Sequence, residues 1–113
     1  DGLWADTTTP LLMMQGHLDP ATPHFMSASM ETHFTAPNQY YVDFQHASHG
    51  VVFGTPYGTG SARADCGVDL VTAFMDDPLA DLDLSCVALT TGLDFEGRSD
   101  APRVMGTPDF WEN

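Results

Sequence analysis

Thr7-Thr-Thr-Pro-Leu-Leu-Met-Met14, running on into Gln15-Gly-His-Leu-Asp19, is the stretch on which the reading of this chain turns. Four consecutive large apolar residues after a polar, proline-closed lead suit a strand covered on both faces, as in a parallel sheet. A strand is therefore expected over 11–15. Thr22-Pro23 then signals a helix start, a hydroxyl able to cap free N–H groups followed by a proline at the first helical position. Met26, Met30 and Phe34 recur at i, i+4 and i+8, with Ser27, Ser29 and Glu31 on other faces. That spacing predicts an amphipathic helix over 23–34 with Met26 and Met30 in the core. Pro37-Asn38 turns the chain. Tyr40, Val42 and Phe44 alternate with Tyr41, Asp43 and Gln45, which predicts a second strand over 39–45 with one wetter face. Strand, helix, strand makes a βαβ unit whose strands run parallel.

Further along, Gly50, Gly54, Gly58 and Gly60 together with Pro56 mark a loop. Cys66, Leu70 and Phe74 fall on one row, with Val71 and Met75 beside it. Asp65 and Asp69 lie near the positive end of the helix dipole and Pro78 stops the run, so a second helix is expected over 64–77. Residues 87–113 have weak periodicity and read as an irregular wrapping tail, with Phe95, Val104, Met105, Phe110 and Trp111 as anchors. Trp4 and Trp111 read as docking anchors near the two ends. The class is α/β, in one domain.

The 113 residues carry 3 arginines, no lysine and 16 acidic residues, a net charge of −13. Such a surface repels phosphate backbones and anionic membranes, and the three arginines, all beyond residue 62, cannot form a basic stripe. Nucleic-acid and membrane partners are not expected, and no apolar run approaches the roughly 20 residues of a bilayer span. Apolar content of 42% argues for a folded domain despite the charge. Two cysteines, Cys66 and Cys86, lean toward a disulfide in an oxidising compartment, two buried thiols being the alternative. The start, Asp1-Gly-Leu-Trp4, has no signal-peptide character and no initiator Met, as expected of a processed product or a piece of something longer.

Ligand sites of open parallel sheets form beyond the carboxyl ends of the strands. There Gly16-His17-Leu18-Asp19 follows the first strand and His46-Ala47-Ser48-His49-Gly50 the second. Asp19 and His49 each stand four residues past their expected strand, and neighbouring strands lie about 4.8 Å apart. The carboxylate can then reach an imidazole N–H, the acid and base of a catalytic triad. The plainer reading makes Asp19 a turn cap and His49 a solvated loop residue. His46, directly after the strand, reads as packed or bonded to a carbonyl, and His24 and His33 as surface residues. His17, Asp19, His46 and His49 together form a lesser alternative as a zinc site, although their spacing matches no zinc signature. The Gly58-x-Gly60 loop lacks the strand and the Lys-Ser/Thr pair of a phosphate cradle. No cofactor and no metal are expected.

The segment Thr9-Pro-Leu-Leu-Met-Met-Gln-Gly-His-Leu-Asp-Pro-Ala-Thr-Pro23 resembles the acid-bearing segment of α/β-hydrolases, specifically the tripeptidyl-aminopeptidase-like group related to proline iminopeptidases. That group carries Gly-x-x-Asp-x-x-Thr-Pro after its penultimate strand and a His-Gly dipeptide after its last, matched here by His49-Gly50. The Cys66 helix, Asp83-Leu-Ser-Cys86 and Gly106-Thr-Pro-Asp-Phe-Trp-Glu112 are similar to its C-terminal region, and the resemblance implies that Cys66 and Cys86 form a disulfide. It also implies that Asp19 and His49 are the acid and base of a serine hydrolase of peptides or small amides and esters, outside the cytoplasm. The family's Gly-x-Ser-x-Gly elbow is absent: Gly58-Thr-Gly-Ser61-Ala62 lacks both flanking glycines and follows no expected strand, so Ser61 is a poor nucleophile. The chain then reads as the C-terminal portion of such an enzyme. Its partner is the N-terminal portion of the same hydrolase, or a second copy meeting it through strand 11–15. A non-catalytic binding or assembly module is the alternative.

Overall fold

The computed structural model describes residues 4–92. Strand β1 (Leu11–Gly16), helix α1 (His24–His33) and strand β2 (Gln39–Phe44) form the expected βαβ unit, with Leu11 opposite Gln39, Met14 opposite Val42 and Gly16 opposite Phe44 in a parallel ladder. A small antiparallel pair follows, β3 (Pro56–Tyr57) with β4 (Ala64–Asp65), and then helix α2 (Cys66–Asp76). The β3–β4 pair lies where a plain glycine loop is expected. Gly58 and Gly60 adopt the left-handed backbone that its turn needs, at φ +73° and +59°.

Side chains alternate along a strand, so the sheet presents two unlike faces. Val42 and Phe44 are buried with Ala47, with Cys66 and Leu70 of α2 and with Cys86, and Leu12, Met14 and Tyr40 pack against them. This is the core, and the Cys66–Cys86 disulfide lies within it. The other face is mixed: Met13 is buried on it, opposite Tyr41. Gln15 is buried there, its side-chain carbonyl accepting from the Ser27 hydroxyl of α1 at 2.9 Å, and Ser27 also lies 2.9 Å from the Tyr41 hydroxyl.

The first helix departs from expectation. None of the residues of α1 is buried, Met26 is 65% exposed and Phe25 78%. The sheet is only two strands wide and its facing side chains are Met13, Gln15, Tyr41 and Asp43, so α1 docks through Ser27 with Met30 half-buried and Met26 left outside. Thr22 does not cap it either: the N-cap position is Pro23 and no side chain bonds the helix N-terminus. In α2, Cys66 and Leu70 face the core as expected, whereas Met75 is exposed. Its first N–H groups are met by Thr55, whose carbonyl accepts from Cys66 N–H and whose hydroxyl accepts from Gly67 N–H.

The segment beyond Pro78 passes Leu82 and Cys86 back to the core and forms a 3-10 turn, Ser85–Leu89, where the start of the irregular tail is expected. Thr91 N–H then bonds the carbonyl of Pro56, so this stretch closes over β3. The anchors Phe95, Val104, Met105, Phe110 and Trp111 lie outside the described residues. Trp4 is half-exposed and packs on His33 and Phe34 at the end of α1, with ring centroids 5.8 Å away in each case. Among the described residues, no helix is long and apolar enough to cross a membrane.

Candidate functional site

The loops that leave the carboxyl ends of β1 and β2 are bonded to each other. His17 N–H reaches the carbonyl of Phe44 at 2.9 Å, and Leu18 N–H that of Ala47 at 3.0 Å. Gly16 allows this approach: a β-carbon there would stand 2.1 Å from the Ser48 carbonyl oxygen and 2.6 Å from that of Ala47. Only a residue without a side chain lets the two loops come so close.

Asp19 is carried by the first loop and is 6% exposed, so its charge needs partners. It has four. Oδ1 accepts the backbone N–H groups of Ala21 at 2.8 Å and Thr22 at 3.0 Å, and Oδ2 accepts the Thr22 hydroxyl and Nδ1 of His49, the latter at 2.8 Å. The turn cap and the imidazole partner are thus both real, divided between the two oxygens. Burial pushes the Asp19 carboxyl upward, but the Thr22 hydroxyl and amide, the His49 ring and the Ala21 amide outweigh it, leaving its pKa well below the ordinary carboxylate value.

An ionised carboxylate can only accept, so in the neutral ring the proton of His49 is on Nδ1 and Nε2 keeps a free lone pair. The His49 side chain is 67% exposed, against 4% for Asp19. A buried anion therefore orients an imidazole that faces outward, ready to accept a proton from a group brought to it. Thr22 and Gln15 complete the support: the Gln15 amide donates to the carbonyl of Thr22 at 3.0 Å and to that of Gly16 at 2.7 Å, holding both ends of the Asp19 loop. The Asp-x-x-Thr spacing, typical of a side chain satisfying N–H groups two and three residues on, was the signal in the sequence for Thr22. A glutamine in an apolar strand carries no comparable signal.

The histidines divide differently from the expected zinc grouping. Asp19 and His49 bond each other. His17 turns to Asp43 of β2, 2.9 Å from Nδ1 to Oδ2, and its ring lies against that of His24, which is half-buried at the start of α1 rather than a plain surface residue. His46 is exposed, lines a cleft with Gln45, Leu84, Val87 and Thr90, and bonds no carbonyl among the described residues. Ser61 lies exposed in a 3-10 turn, Gly60–Ala62, in the β3–β4 connection. Compared with known proteins, the chain matches no family model, no curated protein and no solved structure.

Proposed function

We propose that this chain supplies the acid and the base of a serine hydrolase: Asp19 as the orienting carboxylate and His49 as the proton-transferring imidazole, with the nucleophilic serine on a segment outside residues 1–113. The observation that carries the reading is the 2.8 Å bond from a buried, four-fold satisfied carboxylate to the Nδ1 of an outward-facing histidine. In that arrangement His49 Nε2 takes the serine proton as the hydroxyl attacks the carbonyl carbon, and returns it to the leaving amine or alcohol as the tetrahedral intermediate collapses. Asp19 stays ionised throughout and stabilises the imidazolium. Its placement beyond the carboxyl ends of two parallel strands, together with the resemblance of the 9–23 segment to the tripeptidyl-aminopeptidase-like α/β-hydrolases, favours a peptidase acting from the N-terminus or on related small amides and esters.

The same reading accounts for surfaces that the described residues leave uncovered. Strand β1 pairs only with β2, so its other edge offers free N–H and C=O groups beside the apolar Leu11–Met14. Phe25 and Met26 of α1 are largely exposed. A neighbouring strand of the serine-bearing portion would complete both, and the disulfide fits an extracytoplasmic setting. The test is a serine-directed fluorophosphonate probe on the protein assembled with that portion, and on this chain alone. Labelling of the assembly outside residues 1–113, with turnover reduced roughly 10⁴-fold by Asp19→Asn or His49→Ala and little changed by His46→Ala, is expected. Labelling of this chain at Ser61, or full turnover in His49→Ala, overturns it.

A further inference from the structure

We infer that His17, His24 and Asp43 form a binding site for a divalent transition-metal ion of the zinc class, on the α1 side of the sheet and separate from the Asp19–His49 pair. His17 follows β1 directly, Asp43 belongs to the neighbouring β2 where it is paired with Gln15, and His24 opens α1. Three different elements thus bring one ligand atom each to a single place, all within 4.8 Å of one another. Nδ1 of His17 lies 2.9 Å and Nε2 of His24 3.5 Å from the same carboxylate oxygen, Oδ2 of Asp43. The second distance is too long for a good hydrogen bond, so His24 faces the carboxylate without being engaged by it.

Three further observations point to a cation. The two rings lie tilted to one another with centroids 4.6 Å apart, close enough for both to reach one ion. Asp43 Oδ1 is cut off from water and has no hydrogen-bond partner among the described residues, so the carboxylate is short of positive charge. Gln45 donates its side-chain amide to Oδ2 at 2.7 Å, the outer hydrogen bond that orients a metal-ligating carboxylate. All three ligands remain accessible, with side-chain exposures of 41% for His17, 30% for His24 and 19% for Asp43. The net charge of −13 adds a favourable long-range field. Two imidazoles and one carboxylate select zinc and its transition-metal neighbours over calcium and magnesium, which take oxygen ligands, and they leave positions open to water. Binding through His17 Nδ1 replaces its contact with Asp43, the neutral ring carrying its proton on Nε2 instead. The inference does not rest on the hydrolase reading.

The probe is Zn²⁺ titrated calorimetrically into the full chain with its disulfide intact, with the histidine ring nitrogens followed by NMR. One equivalent should bind and shift the ring signals of His17 and His24, leaving those of His46 and His49 in place. His17→Ala, His24→Ala and Asp43→Asn should each weaken binding roughly tenfold or more, while His46→Ala and His49→Ala leave it unchanged. His24→Ala is decisive where folding is a concern, because α1 buries no side chain; circular dichroism verifies each variant. A dissociation constant weaker than about 1 mM, binding indifferent to His24→Ala, or binding lost in His49→Ala overturns the site.

Discussion

Replacing Gly16 by alanine probes the contact that brings the Asp19 and His49 loops together. An ordinary carbon–oxygen contact is roughly 3.3 Å or more, whereas the new methyl would sit 2.1 Å from the Ser48 carbonyl oxygen, so one loop must retreat by about 1 Å. The obstructing atoms are backbone, and no rotamer change can absorb the overlap. Ser48 adjoins His49, whose bond to Asp19 is 2.8 Å long; a retreat of that size carries it past the roughly 3.5 Å at which such a bond is lost. Overpacking of this kind costs about 1–3 kcal/mol, and a displacement of about 1 Å at a catalytic base costs on the order of 10²-fold in turnover. Urea unfolding of the Gly16→Ala chain should show the lowered midpoint, and the Nδ1-bound proton of His49, held against Asp19 in the parent, should exchange into solvent. Gly50→Ala is the control beside it: nothing lies within 4 Å of a β-carbon at Gly50, and its stability should stay within about 0.5 kcal/mol of the parent. Gly16→Ala with parental stability and a protected His49 proton would refute the reasoning.

Other outcomes follow from the same geometry. Gly67→Ala should destabilise despite the better helix propensity of alanine, because its β-carbon would lie 2.3 Å from the Val51 carbonyl oxygen; a net loss of about 1–2 kcal/mol in urea is expected. Reduction of the Cys66–Cys86 bond, which spans 20 residues, should cost on the order of 3 kcal/mol by loop entropy, read as the difference in unfolding free energy with and without reductant. Thr22→Val removes a hydrogen bond from the Asp19 carboxylate, so its carboxyl ¹³C titration should move upward toward the ordinary value of 3.8. A depressed carboxyl pKa stabilises the fold above the unfolded value and is lost as pH falls through the folded one, so acid unfolding of this variant should begin at a higher pH than in the parent. Light scattering on the isolated chain should show a dimer or larger species joined through β1; a monomer at micromolar concentration would mean that another part of the chain covers that edge.

The sequence by itself determined the local elements and their order. Leu11–Met14, the alternation from Tyr40 to Gln45 and the Cys66/Leu70 row are periodic patterns whose apolar faces must find cover, and period is a local property of the chain. It also brought Asp19 and His49 together in the reading, because parallel strands send their following loops to one edge. What lay beyond it was everything set by distance between elements. The methionine row of α1 has the right period for a core helix, yet the two-stranded sheet beneath it is too narrow to bury it, and only the packed structure shows that. Asp43 reads as a wet-face residue, and nothing local says that His17 and His24 converge on its carboxylate. Gly16 reads as a turn glycine until the Ser48 carbonyl is seen against it, since close approach is a relation between two loops 32 residues apart in number. The open edge of β1 belongs to the same class: pairing is decided by which strands are present, and the described residues offer one neighbour where the apolar strand has room for two.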